Sequence, residues 1–145
     1  MKASYAILLG LSALVGVGLS VEAAPIKLLC NGQITMAFDA EKVTDPARIG
    51  VELDEAAGWV SFSGWAVDAE RIPATSSGTA MTFMHTAPGP GVVSTTKGRI
   101  ELATRRLYLD TTFSSLNGPG ARWTTDLGIQ VTTLRVTGDV PCQTP

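Results

Sequence analysis

The sequence predicts an all-β domain, a single antiparallel meander curled into a small barrel or a strongly bent sheet, with a two-sheet sandwich as the alternative. Three observations carry this prediction. Apolar residues recur at every second position in several segments, Gly- and Pro-rich stretches separate those segments, and no amphipathic helical pattern longer than one turn follows the N-terminal apolar run. We therefore expect about seven or eight antiparallel strands.

The N-terminal segment has the composition of a secretory signal peptide. A short positive start precedes an uncharged apolar stretch, Ala6 to Leu19, and residues 21–23 suit the positions that signal peptidase reads. We expect cleavage after Ala23, which separates a signal peptide, 1–23, from a β domain, 24–145. Because the apolar run is shorter than the roughly 20 residues of a spanning helix, no stable membrane anchor is expected after cleavage.

Two cysteines lie near the ends of the predicted domain, Cys30 and Cys142. Export places them in an oxidising compartment, where such a pair is more often a disulfide than a metal site. We therefore expect a Cys30–Cys142 bridge and a periplasmic or secreted protein. Closing a loop of about 110 residues is worth roughly 4 to 5 kcal/mol of chain entropy, as an upper figure.

The charge of the chain argues against one class of partner. The formal net charge is −2, and the basic residues are scattered along the sequence apart from Arg105 and Arg106. A slightly acidic chain without a basic run has no electrostatic reason to bind a polyanion. Nucleic acid is therefore not an expected partner.

The first strand is predicted at Ile26 to Phe38, where alternate residues are mostly apolar. Asn31-Gly32 is a hairpin signal, but a turn there would set Leu28 opposite Thr35 and mix the two faces. An unbroken strand, with Gly32 as a bend or bulge, is preferred. The following segment, 40–47, is polar and contains a proline, and it predicts a loop.

The next strands form a hairpin around a turn at residues 54–58. Leu53 opposite Val60 brings Val51 opposite Phe62, so one register serves both strands. The segment 68–78, with a proline and a Thr-Ser-Ser-Gly run, predicts a connection with at most a brief extended piece.

A further strand is predicted at 79–85. The Pro- and Gly-rich run 87–91 is expected to be a loop, because proline lacks the ladder donor.

The stretch Gly98–Phe113 gives the clearest hairpin, with two period-two runs back to back. Pairing Leu102 with Leu107 places all the apolar residues on one face. A two-residue turn would force β-branched Thr104 to positive φ, so a four-residue connection, Ala103 to Arg106, is expected.

The last strand is predicted at 129–136. Its apolar phase slips near Thr132 and Thr133, which predicts a β-bulge at these residues.

Candidates for catalysis or metal binding are few. His85 is the only histidine, and neither a nucleophile motif, a phosphate-binding loop nor a metal-ligand spacing occurs. Met81, Met84 and His85 would suit copper by ligand type, but Met84 points away from the other two in a regular strand. We predict no catalytic residue, no metal site and no cofactor.

Trp59 and Trp65 share one face of the predicted third strand, separated by Ser61 and Ser63. Two such rings could form an aromatic platform for a sugar or a cover for an apolar ligand. They could equally pack under a loop or at a barrel end. Trp59 and Trp65 are the candidate ligand-binding residues.

Several short motifs, in this order, resemble a set of small exported β-proteins of Gram-negative bacteria. They are Leu28-Leu29-Cys30-Asn31-Gly32, Val51-Glu52-Leu53-Asp54 with Gly58-Trp59-Val60, Met81-Thr82-Phe83, Gly98-Arg99-Ile100-Glu101 and the Cys near the C-terminus. The hairpin turn here lacks the glycine that is usual in that set. The resemblance implies export, an all-β fold and a bridge between the terminal segments, and it implies no reaction.

These observations favour a non-enzymatic exported domain that binds a small ligand or an envelope partner. The alternative is a structural or protein-protein role, such as that of an inhibitor. A hydrolase is the third hypothesis, and it would require His85 or a close pair of carboxylates in a pocket.

Overall fold

The computed structural model describes residues 23–64, 69–125 and 128–145, and only the backbone of residues 69 and 70. The predicted signal peptide, 1–23, lies almost wholly outside these ranges. The described strands are β1 (Ile26–Phe38), β2 (Glu41–Asp54), β3 (Trp59–Gly64), β4 (Ala69–Ser76), β5 (Ala80–Gly89), β6 (Val92–Glu101), β7 (Arg106–Ser115), β8 (Trp123–Thr124), β9 (Gln130–Val131) and β10 (Leu134–Gln143).

Eight strands close into an antiparallel barrel in the order β1-β10-β7-β6-β5-β4-β3-β2. The predicted meander is therefore confirmed in its barrel form. Among the described strands, β8 and β9 pair only with each other, as a separate hairpin between β7 and β10. No helix in the described part of the chain has the length and hydrophobicity needed to cross a membrane.

The two ends of the barrel differ. The turns 55–58, 77–79 and 102–105 lie at one end, together with the first residue of β1 and the last of β10. We call this the closed end, because large side chains fill it. The turns 39–40 and 90–91 and the segment 116–133 lie at the opposite end, which we call the mouth.

Inward-facing side chains fill the barrel from the closed end to its middle. Leu53, Met81, Ile100, Leu107 and Val140 are fully buried there, as the alternation of apolar residues requires. Burying a side chain of this size is worth about 1.5 to 3 kcal/mol. This part of the barrel is a packed core that stabilises the fold.

Phe83 occupies the middle of the barrel through space that a glycine leaves. Gly98 lies opposite Phe83, and a Cβ on Gly98 would lie 2.0 Å from the tip of the Phe83 ring. The same ring contacts Phe62, with 4.8 Å between ring centroids. Gly98 is therefore needed for close approach, which is one role of glycine within a strand.

Cys30 and Cys142 form a disulfide across the seam where the first and last strands meet. Cys30 is completely buried, and the Cys142 amide donates to the Arg105 carbonyl at 2.7 Å. The predicted bridge is confirmed. It joins the two strands whose pairing closes the barrel, across a sequence separation of 112.

Three segments predicted to be loops or connections are strands. β2 begins at Glu41 and includes Pro46, β4 includes Pro73, and β5 extends through Pro88. In the described ranges, the first half of β2 pairs only with β1, and the last residues of β5 pair only with β6. Proline is tolerated where one side of a strand has no ladder partner, so its presence did not end these strands.

Pro73 lies near an irregularity instead. The pairing of β3 with β4 shifts between Val60 and Phe62, and Arg71 of β4 has a φ of 51°. A bulge takes up a residue that a regular ladder cannot accommodate.

The predicted register was correct for β2 and β3 and shifted for β6 and β7. β1 is unbroken, and Leu53 lies opposite Val60 as predicted. At the β6–β7 hairpin, Ile100 and not Leu102 lies opposite Leu107. A shift of two residues keeps every side chain on its face, so alternation alone did not decide the register.

The connection between β6 and β7 has the predicted four residues, but they are 102–105. Arg105 has a positive φ of 52°, so the β-branched Thr104 does not have to adopt this unfavourable conformation.

The predicted β-bulge at Thr132 and Thr133 was wrong. These residues separate two strands, because β9 ends at Val131 and β10 begins at Leu134. The slip in apolar phase therefore marks the change from a peripheral hairpin to a barrel strand.

Candidate ligand-binding cavity

A cavity of about 520 Å³ opens at the mouth of the barrel, beyond the packed core. Its volume lies within the range of small-molecule sites in proteins. Most of its lining is apolar, contributed by the mouth ends of six barrel strands, the β5–β6 turn and the β8–β9 hairpin: Met36, Phe38, Val43, Ala87, Pro88, Gly89, Pro90, Val92, Phe113, Trp123, Ile129, Val131, Leu134 and Val136.

Four polar residues complete the described lining of the cavity. They are Asp45 on β2, Ser94 on β6, and Thr124 and Thr125 on the hairpin. The Ser94 hydroxyl donates to the carbonyl of Ala87 at 3.3 Å, so it already has a partner. An apolar wall with few polar groups favours an apolar ligand whose orientation is set by few hydrogen bonds.

The β8–β9 hairpin forms one wall of the cavity. Trp123 stacks on Phe113 of β7, with ring centroids 5.9 Å apart and ring planes 27° from parallel. Trp123 is only 9% exposed, although the strand that carries it has two residues. This aromatic contact and the burial of Val131 on β9 attach the hairpin to the barrel.

The indole N–H of Trp123 is buried without a hydrogen-bond partner among the residues that the structure describes. A buried polar group left unpaired costs about 1 to 3 kcal/mol.

Asp39 fastens the other end of the hairpin segment. It lies in the β1–β2 turn, and its Oδ1 accepts hydrogen bonds from the Thr132 amide at 3.0 Å, the Thr132 hydroxyl at 2.6 Å and the Thr133 amide at 3.1 Å. Donation from Thr132 lowers the pKa of Asp39 below its usual value. One carboxylate thus holds the junction between the hairpin and β10.

Thr96 and Thr111 are the next inward-facing residues toward the core after Ser94 on β6 and Phe113 on β7. Thr96 and Thr111 form a hydrogen bond of 2.8 Å, and both side chains are almost fully buried. Because each hydroxyl has the other as its hydrogen-bond partner, neither is buried unpaired. The barrel therefore changes from apolar core to a paired polar layer and then to the apolar cavity.

His85 faces inward on β5, opposite Thr96, and is half-buried. No hydrogen bond of its side chain to a described residue is present, and no group of three potential metal ligands occurs in the described ranges. Met81 is in the core, whereas Met84 is 64% exposed on the opposite face. The structure does not bring these three residues together.

Trp59 lies on the outer wall of the barrel and does not line the cavity. Its ring carries the guanidinium of Arg71, at 5.2 Å from the ring centroid. Trp65 falls outside the described residues, so the predicted pairing of Trp59 and Trp65 stays a prediction.

Trp123, Phe113 and Asp39 carry the geometry of the cavity, and none of the three was predicted to be a ligand-binding residue. One signal was present: Trp123 is an aromatic residue in a Gly- and Pro-rich segment between strands. A lone large apolar residue in such a segment must pack against something, here the barrel mouth. The link between Asp39 and Thr132 spans 93 residues and left no pattern in the sequence.

Comparison with known proteins found no matching family, no matching curated protein and no matching solved structure.

Proposed function

We propose that this protein is a non-enzymatic binding module that holds a small apolar ligand in the mouth cavity. The observation that carries the proposal is the cavity itself, about 520 Å³, apolar on most of its lining and walled on one side by a hairpin outside the barrel ladder. Transfer of apolar surface from water into such a site is favourable by about 25 cal/mol per Å². The packed closed end provides the rigid support.

The disulfide is consistent with an oxidising compartment outside the cytoplasm. We propose more specifically that the protein acts in the periplasm or is secreted. Apolar compounds dissolve poorly in those aqueous spaces, and a carrier would keep them in solution.

A protein partner is the second candidate function, and one observation favours it. Val43, Leu116 and Ile129 are exposed apolar residues near the mouth, at 41%, 62% and 40% exposure. A partner that delivers or receives the ligand would contact this rim. It would approach beside the cavity and not at the closed end.

The test is binding of a fluorescent apolar probe, N-phenyl-1-naphthylamine, to the purified mature protein, with native mass spectrometry for a retained ligand. Ala87 is a half-buried lining residue, so Ala87→Phe places a ring in the cavity. We expect the affinity for the probe to fall about tenfold or more, equivalent to about 1.4 kcal/mol.

Thr86→Phe is the matched control, because Thr86 is the exposed neighbour on the same strand and faces outward. It should change the affinity less than about twofold, well under 1 kcal/mol. Equal affinity of the wild type and both variants would refute the cavity as the binding site. Absence of probe binding to the folded wild type would refute an apolar-ligand function.

A further inference from the structure

The outer wall of the barrel carries a second concave surface, across β1, β2, β3 and the bulged part of β4. We call it the outer groove, and its volume is about 680 Å³. Its floor is low because three neighbouring outward positions carry small residues: Gly50, Ser61 and Ser63. A Cβ on Gly50 would lie 2.5 Å from the Ser63 hydroxyl, so the missing side chain is part of the shape.

Three cations line the outer groove, namely Lys27, Arg48 and Arg71, and all three are exposed. Two acidic groups also line it, namely Glu52, which lies opposite Lys27 on the β1–β2 ladder, and the terminal carboxylate of Pro145. The cations are far apart in the sequence, and the barrel brings them to one face. The chain is slightly acidic as a whole, yet this face favours an anion.

Arg71 is set in place by an unusual backbone. Its φ is 51°, at the irregularity between β3 and β4, and its amide donates to the Ser61 hydroxyl at 2.8 Å. Bulges of this kind redirect a side chain, and a non-glycine residue at positive φ is uncommon. Here the guanidinium lies over the Trp59 ring at the edge of the groove.

The floor of the groove is unsuited to an extended peptide. β2 is paired with β1 and β3 throughout this region, and β3 is paired with β4 between Trp59 and Phe62, so the middle of the floor offers no free strand edge for a peptide to join. The floor instead presents the hydroxyls of Ser61 and Ser63, and Trp59 gives an aromatic wall. Hydroxyls, an aromatic wall and cations together suit a carbohydrate that carries carboxylates.

We propose that the outer groove is a second site, separate from the mouth cavity, that binds an acidic oligosaccharide. Arg48 and Arg71 pair with its carboxylates, and the hydroxyls of Ser61 and Ser63 bond its hydroxyls. The inference goes beyond the mouth cavity and does not depend on it.

The experiment is titration of the mature protein with tetragalacturonate, followed by calorimetry and by amide and indole NMR shifts. Comparison ligands are the methyl-esterified tetragalacturonate, hexaglutamate and inorganic phosphate. We expect shifts at Gly50, Ser63 and the Trp59 indole, weaker binding as salt rises, and weaker binding of the neutral ester. Arg71→Gln should weaken binding about 3-fold, and the double variant with Arg48→Gln about 10-fold.

Arg99→Gln is the matched control, because Arg99 is an exposed arginine on β6, away from the groove, and the charge change is the same. It should leave the affinity within about 2-fold, and so should Ala87→Phe in the mouth cavity. Lack of tetragalacturonate binding would overturn the proposal. Hexaglutamate binding of equal strength, or an equal loss in Arg99→Gln, would reduce the groove to a non-specific cationic surface and would also overturn it.

Discussion

Gly98→Ala tests whether the middle of the barrel is packed as tightly as the structure indicates. The added Cβ would meet the Phe83 ring at 2.0, 2.4 and 2.7 Å, so the ring must move. Phe83 is buried and its ring contacts that of Phe62, with 4.8 Å between the centroids, so a movement of the Phe83 ring disturbs this contact. Overpacking of this kind costs about 1 to 3 kcal/mol, and a weakened aromatic pair adds about 0.5 to 1.5 kcal/mol.

Gly50→Ala is the matched comparison, because its Cβ would also approach a neighbour closely, at 2.5 Å. That neighbour is the hydroxyl of Ser63, an exposed side chain that can rotate away. Replacing glycine by alanine also lowers the entropy of the unfolded chain, which stabilises by about 0.4 to 1 kcal/mol. We therefore expect Gly50→Ala to change stability little or to raise it.

Urea denaturation of both variants, with equal slopes to confirm two-state unfolding, measures the difference. We expect Gly98→Ala to lower the free energy of unfolding by about 2 to 4 kcal/mol relative to Gly50→Ala. Phe83→Leu should relieve part of the loss in a Gly98→Ala background. Equal stabilities of the two alanine variants would show that the Phe83 ring does not depend on Gly98.

Three further predictions follow from other contacts. Replacing both Cys30 and Cys142 by Ser should lower the free energy of unfolding by up to about 4 to 5 kcal/mol. The Tm should fall, and reductant should no longer change it. An unchanged Tm would contradict a stabilising role of the disulfide. Asp39→Ala should speed amide hydrogen exchange in the β8–β9 hairpin. Asp54→Ala, which removes a hydrogen-bond acceptor from the turn at the closed end, should leave that exchange unchanged. Equal exchange rates in the two variants would mean that Asp39 does not hold the hairpin. Hydrogen bonds from Arg135 lower the pKa of Asp110, as those from Thr132 lower that of Asp39. A carboxylate whose pKa is lower in the folded protein stabilises the fold above its ordinary pKa of about 3.9, and this stability is lost as the pH falls through the folded pKa. The free energy of unfolding should therefore decrease below about pH 4, and it should decrease less steeply in Asp110→Asn. A free energy of unfolding that does not change below about pH 4 would contradict both contacts.

The alternation of apolar and polar residues in the sequence predicted the barrel strands that have one apolar and one polar face. It placed β1 at its true bounds, and it paired Leu53 with Val60. It missed the first half of β2 and most of β4, because those segments contain prolines. Proline is compatible with a strand that has a ladder partner on one side or lies beside a bulge, and neither condition is visible locally.

The mouth cavity was not predictable, because it depends on contacts distant in sequence. Apolar residues such as Met36 and Val136 look the same in a sequence whether they fill a core or line a cavity. The shift of two residues between β6 and β7 shows the same limit, since both registers bury the same side chains. The Cys30–Cys142 bridge was predictable because only two cysteines exist and export favours their pairing.

Intermolecular NMR contacts between a bound apolar probe and methyl groups of the protein would test the central claim most directly. The account predicts contacts from N-phenyl-1-naphthylamine to Met36, Val131 and Leu134 at the mouth, and none to Leu53 or Val140 in the core of the closed end. Contacts confined to the outer surface of the barrel would contradict it, because the probe would then bind without entering the cavity.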